Sequence, residues 1–241
     1  METKVFDRIE KKYLITAEQK KKLLKVIKKH MKKDSYYLSE VMNLYFDNDN
    51  YDLIIQSIDR PEFKEKFRAR SYGGYDRVFL EIKTKLKGKD ANVGYKRRIM
   101  ITHKDFDDFV KGRANAVELA GRAIETKHDL QIAKEIDYLV NHFDLKPKIL
   151  VTYGRESYKG EDDLRITFDD NLRYRHKNPT LTKQIRDKIY FKDKFNIIME
   201  VKAQGVIPLW LVKIMSQEKI YPQQFSKIGK VYEKLRKENN V

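Results

Sequence analysis

Within three strand-like stretches a glutamate stands two residues before a lysine: Glu10-Lys11-Lys12, Glu81-Ile82-Lys83 and Glu200-Val201-Lys202. Residues two apart on a β-strand project from the same face, so each stretch presents an acid beside a cation. Such pairs have two uses. They can be salt bridges on a solvated sheet. Alternatively, the cations grip phosphate oxygens while the carboxylates hold a hard divalent ion. Arg8 shares the face of Glu10 and Lys12, and further cations repeat at the same spacing as Lys64, Lys66, Arg68 and Arg70, then as Lys96 and Arg98. Long charges dominate these polar parities, with little of the Thr, Ser or Gln that mixes into exposed sheets. The faces are therefore expected to line a common interior. Kept dry, it would be untenable: two like charges ~4 Å apart repel by ~4 kcal/mol at an effective dielectric of ~20. Anions must share it. Arginine forks and compact lysine charges suit a string of phosphates.

The rest of the composition narrows the classes. The chain has 241 residues, a formal net charge of +16 and no cysteine. That balance calls for an anionic partner and excludes disulfides, thiol catalysis and Cys-based zinc sites. No apolar run approaches the roughly 18 residues of a membrane span, and the charged start lacks the apolar stretch of a signal peptide. A cytoplasmic location is expected, and association with a membrane partner is left open. The five histidines lack ligand spacing, and no Gly-x-x-x-x-Gly-Lys loop is present. Aromatics fall mostly on apolar strand faces, which argues against nucleic acid.

The elements that must position these charges follow from periodicity. Thr16 with Gln19 predicts a helix start, and Leu23, Leu24, Ile27 and Met31 its apolar stripe. A strand follows over about residues 35–47, then a turn and short helix before Pro61. Strands are expected over 63–70, 78–85 and 94–101, with turns at Gly73-Gly74 and at 88–92. Short connections make them antiparallel. Thr102 opens a helix with Phe106 and Phe109 inward, 112–126 reads as a linker, and a longer helix carries Ile132, Ile136, Leu139 and Phe143 before Pro147. Strands return at 149–155, 164–169 and 195–203. Helices over 209–216 and 226–238 complete one expected domain spanning 1–241.

Taken in order, Glu10-Lys11-Lys12-Tyr13, Leu44-Tyr45-Phe46-Asp47, Lys66-Phe67-Arg68-Ala69-Arg70-Ser71-Tyr72-Gly73, Glu81-Ile82-Lys83, Glu200-Val201-Lys202 and Phe225-Ser226-Lys227 resemble the VTC polyphosphate polymerase domain. That family lies within the triphosphate tunnel metalloenzymes, the CYTH-like superfamily, and the resemblance covers essentially the whole chain. It implies an α+β fold: a closed antiparallel β-barrel of about eight strands with flanking helices. It also implies a divalent metal, Mn2+ or Mg2+, and transfer of the γ-phosphoryl group of ATP onto polyphosphate. Carried across, Lys12, Arg68, Arg70 and Lys83 would stabilise the transferring group. Lys96, Arg155, Arg165, Ser226 and Lys227 would bind phosphates. Arg98 and Lys202 join the lining on parity. Glu200 would hold the metal, while Glu10 is either a second ligand or a salt-bridge partner. Two positions depart from the pattern. Arg8 stands where tunnel hydrolases commonly carry another glutamate, which favours the polymerase branch, and Gln224 stands where the family often has a basic residue. The alternatives are a tunnel hydrolase that cleaves triphosphate or nucleoside triphosphates, and a non-catalytic module that binds polyphosphate or, less readily, RNA.

Overall fold

The computed structural model describes residues 8–59, 62–73, 76–87, 92–123, 127–182, 184, 187–191 and 193–241. In chain order these form β1 (Arg8–Ile15), α1 (Ala17–His30), β2 (Lys32–Asp47), α2 (Asp52–Asp59), β3 (Phe63–Tyr72), β4 (Val78–Lys87) and β5 (Asn92–Ile101). Three helices come next, α3 (His103–Val110), α4 (Ala116–Ala123) and α5 (Lys127–His142). Then follow β6 (Lys146–Lys159), β7 (Arg165–Arg175), β8 (Lys188–Ile189), β9 (Ile197–Gln204), α6 (Leu209–Gln217) and α7 (Lys227–Lys237). The α+β expectation holds. Strands hydrogen-bond in the order β1-β9-β7-β6-β2-β3-β4-β5, with β8 beside β7. The path begins at β1 and ends at β5, so the expected closure into a barrel is not made by hydrogen bonds among the described residues.

Contacts divide the chain into two units. One takes the stretch up to Glu40 with Tyr153–Arg173 and Ile189–Ser226; the other takes Val41–Thr152, Tyr174–Lys188 and the stretch from Lys227.

In the first unit, α1 starts as its sequence requires. Thr16 Oγ1 accepts the Gln19 N–H at 3.1 Å and the Gln19 side chain accepts the Thr16 N–H at 2.9 Å, a closed capping box. Leu23 and Ile27 of α1 and Leu211 and Met215 of α6 then pack with Tyr13, Ile15, Phe168, Met199 and Val201. Each such fully buried side chain stabilises the fold by about 1.5–3 kcal/mol. These strand residues all occupy one parity. The other parity of β1 and β9, with Glu10, Lys12, Glu200 and Lys202, is turned away from both helices.

The second unit repeats the division. Phe67, Ala69, Leu80, Ile82, Ile99 and Ile101 pack under Phe106 and Phe109 of α3, Leu119 of α4 and Ile136 of α5. The parity of Arg68, Glu81 and Arg98 faces away from that core.

Several boundaries differ from the sequence reading. Strand β2 starts at Lys32, ahead of the expected 35. Residues 116–123 of the expected linker are helix α4, capped reciprocally by Asn115 and Glu118. Helix α5 stops at His142 without help from Pro147, which lies inside β6. The stop is local: Asp144 adopts φ 49° and the Leu145 N–H reaches the Val140 carbonyl at 2.9 Å. The turn glycine Gly74 and the turn at 88–91 lie outside the described residues. No described helix is long and apolar enough to cross a membrane.

Candidate functional site

The second unit builds its site as rungs across four strands. One rung runs Tyr45–Arg68–Glu81–Arg98, and the next runs Asn43–Arg70–Phe79–Met100. A third, on the other side, aligns Lys66, Lys83 and Lys96. Antiparallel pairing of alternating sequences produces this order unaided, because every second residue of each strand meets its counterpart.

Glu81 is the hub. Its side chain is 1% exposed, yet four cations surround it. Arg68 donates through Nε and Nη2 to one carboxylate oxygen at 2.9 and 2.7 Å. Lys96 Nζ is 2.6 Å from the other, and Arg70 Nε and Arg98 Nη1 stand at 3.8 Å. Burial alone would push this carboxyl up. The charges of Arg68, Arg70 and Lys96 outweigh that effect and hold its pKa at about 2. Burial in turn pulls the Lys96 ammonium down despite Glu81, and Arg70 and Arg98 add to the pull. One anion therefore does not neutralise the group. The arginines are also held from β2: Arg70 donates to Asn43 Oδ1 at 2.7 Å and Arg68 to the Tyr45 hydroxyl at 3.2 Å.

The first unit carries a second cluster. Glu10 lies opposite Lys202, and Lys12 opposite Glu200, on β1 and β9; Arg165 and Thr167 of β7 extend the two rungs. Lys202 Nζ is 2.6 Å from Glu200, while Lys12 Nζ is 3.6 Å from Glu10 and 3.8 Å from Glu200. The segment before α7 is pinned here, since the Gln223 N–H donates to the Lys12 carbonyl at 2.7 Å and Lys12 Nζ donates to the Phe225 carbonyl at 3.3 Å. Thr167 Oγ1, across from Glu200, is buried without a hydrogen-bond partner among the described residues.

The predicted residues thus sort by unit. Arg68, Arg70, Lys83, Lys96 and Arg98 share one set of rungs; Glu10, Lys12, Arg165, Glu200 and Lys202 share the other. Arg155 is differently placed. Its guanidinium forks onto the buried Asp169 at 2.7 and 2.8 Å. Arg165 divides its donors between Asp34 at 2.9 Å and Ser157 at 3.3 Å. Ser226 and Lys227 lie at the start of α7 instead of on a strand. The Arg8 side chain lies outside the described residues. Reading the sequence missed Glu81 as an organising acid, together with Asn43, Tyr45 and Asp169. Parity gave a signal for Glu81; the others needed the pairing of distant strands.

No three His, Asp or Glu side chains converge as a ready-made metal cage among the described residues. A hard cation that keeps water and phosphate oxygens in its shell needs only one or two protein carboxylates. Glu200, with Glu10 nearby and the unsatisfied hydroxyl of Thr167 facing it, is oxygen chemistry of that kind.

A family model described as the VTC domain matches residues 7–236. Among curated proteins, vacuolar transporter chaperone complex subunit 4 of Schizosaccharomyces pombe is 28% identical over 144 residues, 55% of this chain and 20% of that protein. The subunit 4 of Trypanosoma brucei brucei is 25% identical over 206 residues, 71% of this chain and 26% of that protein. The chain thus spans a fifth to a quarter of the length of these relatives. Among solved structures, a putative adenylyl cyclase from Hippeastrum, described as having a dominant triphosphatase activity, superposes with a TM-score of 0.57 at 13% identity. The match covers 98% of this chain and 97% of that one, so the two share a fold.

Proposed function

Because the chain belongs to the VTC domain family, we propose that it is a polyphosphate polymerase, a single 1–241 domain that moves the γ-phosphoryl group of ATP onto a growing polyphosphate. The observation that carries this reading is the Glu81 hub, where four cations meet one buried carboxylate with Lys66 and Lys83 on the next rung. Four cations are fixed on rigid strands around a single buried carboxylate, an arrangement suited to the oxygens of an incoming polyanion.

Phosphoryl transfer asks little covalent chemistry of the protein, and positioning with charge neutralisation carries most of it. A terminal oxygen of the acceptor phosphate attacks the γ-phosphorus in line and forms the new P–O bond. The bond to the β–γ bridging oxygen breaks, and ADP leaves with that electron pair. Arg68, Arg70 and Lys83 would stabilise the equatorial oxygens, as would Lys12. Lys96, Arg98, Arg165 and Lys202 would hold flanking phosphates, and Ser226 and Lys227 the chain end. Glu200, assisted by Glu10, would hold Mn2+ or Mg2+, which when bound neutralises the departing diphosphate.

Purified protein given ATP and Mn2+ is expected to make ADP and chains that a polyphosphate gel resolves. Arg68→Ala should lower the rate by about 10²–10³-fold, as loss of one preorganised donor does. Orthophosphate without chain growth would replace this reading by a hydrolase. Tight polyphosphate binding without turnover would replace it by a binding module.

A further inference from the structure

We propose that the cationic rungs of β3, β4 and β5 end in a nucleobase platform, where Phe79 and Tyr72 receive the purine ring of the nucleoside triphosphate whose phosphates occupy the adjoining rungs. This rests on the polymerase reading and adds to it the part of the donor that is not phosphate.

Register places the platform. Phe79 lies between Arg70 and Met100 on the rung directly after Arg68–Glu81–Arg98, and Tyr72 follows Arg70 on the same strand face. One rung is two residues, or about 7 Å of strand, roughly the reach of a ribose between phosphate and base. The strand's core demand is met elsewhere, by Val78, Leu80 and Ile82, each with no exposure. Phe79 is half-buried and sits on the charged parity, where neighbouring residues are Glu81, Lys83 and Lys85. Packing does not call for a phenylalanine there.

The geometry around it suits an aromatic ligand. Tyr72 and Phe79 meet edge to face, their ring centroids 6.2 Å apart and their planes at 77°. The Arg98 guanidinium lies 4.4 Å from the Phe79 centroid, and its Nη1 is 3.8 Å from Glu81. Arg98 thereby joins the phosphate rung to the aromatic one. Rings and arginine planes together are how proteins stack bases without reading their edges. The opposite end of the same face continues through Lys66, Lys83 and Lys96 to the paired Lys64 and Lys85. The face therefore has a polarity: nucleoside toward Tyr72, polyphosphate toward the lysines, with the Arg68–Glu81–Arg98 rung between them.

Calorimetric titration with magnesium-ATP and with magnesium-tripolyphosphate tests this on wild type, Phe79→Ala, Phe79→Leu and Phe79→Trp. Leucine keeps apolar volume but no ring face, and thermal melting checks that each variant is folded. Ala and Leu should both weaken ATP about tenfold while tripolyphosphate stays within about twofold, and Trp should hold ATP at wild-type strength. Equal loss for both ligands would assign Phe79 to propping Arg98 and overturn the platform. So would a leucine variant that binds ATP like wild type. A wild-type protein that binds neither ligand would remove the polymerase reading itself, and the platform with it.

Discussion

Replacing Glu81 by glutamine removes the one negative charge at the centre of four positive ones while keeping the shape of the side chain. The depression of its pKa from 4.5 to about 2 sets the scale. At 1.36 kcal/mol per unit, the folded state favours ionised Glu81 by ~3 kcal/mol, and the variant should lose about that much stability at neutral pH. Because the folded value lies below the unfolded one, this stabilisation is complete above about pH 4.5 and is lost as pH falls toward 2. The gap between wild type and Glu81→Gln, measured by urea unfolding, should be flat from pH 7 to pH 5 and then narrow as the medium is acidified. Tripolyphosphate should restore much of the loss, since its oxygens supply the missing countercharge to Arg68, Arg70, Lys96 and Arg98. A variant as stable as wild type at pH 7, or one destabilised but indifferent to tripolyphosphate, would refute the argument that these cations need an anion among them.

Two more outcomes follow from the first unit. Arg155→Ala strips the guanidinium from the buried Asp169 and should cost about 3–5 kcal/mol in denaturant unfolding. If it instead unfolds like wild type while losing polyphosphate affinity, Arg155 is a ligand contact after all. Tyr158→Phe deletes the hydroxyl that donates to Glu156 at 2.5 Å, a carboxylate also held by Tyr37 at 2.6 Å and Lys20 at 2.8 Å. Its stability should fall by about 1.5–3 kcal/mol, with turnover of ATP unchanged; a melt identical to wild type would show that the hydrogen bond contributes nothing net.

Alternation made most of the strand faces legible before any coordinates. Arg68, Arg70, Lys83, Lys96 and Arg98 fall on one parity of three strands joined by short turns, so their sharing a face follows from chain geometry alone. What alternation cannot supply is partnership between remote segments. Glu81 carries the same local signature as Glu10 and Glu200, yet only the register of β3 and β5 against β4 shows that it gathers four cations. Arg155 looks like a phosphate ligand until β6 and β7 bring Asp169 to it. Helix α4 has a local signal in the capping pair Asn115 and Glu118, although the Ala116 and Val117 N–H groups are satisfied by Asp137 of α5, at 2.7 and 3.0 Å.

The pairing of β1 with β9 has a consequence for biogenesis. Lys12 and the Phe225 carbonyl it reaches are 213 positions apart in the chain. During synthesis on the ribosome, the β3–β5 meander can zip as it emerges, whereas β1 must wait for β9, which is made only after β2 to β8. The acid at Glu200 therefore joins the lysine at position 12 only once β9 has been made, so chains stalled or clipped before it would carry a formed cationic ladder and lack the Lys12–Glu200 pairing.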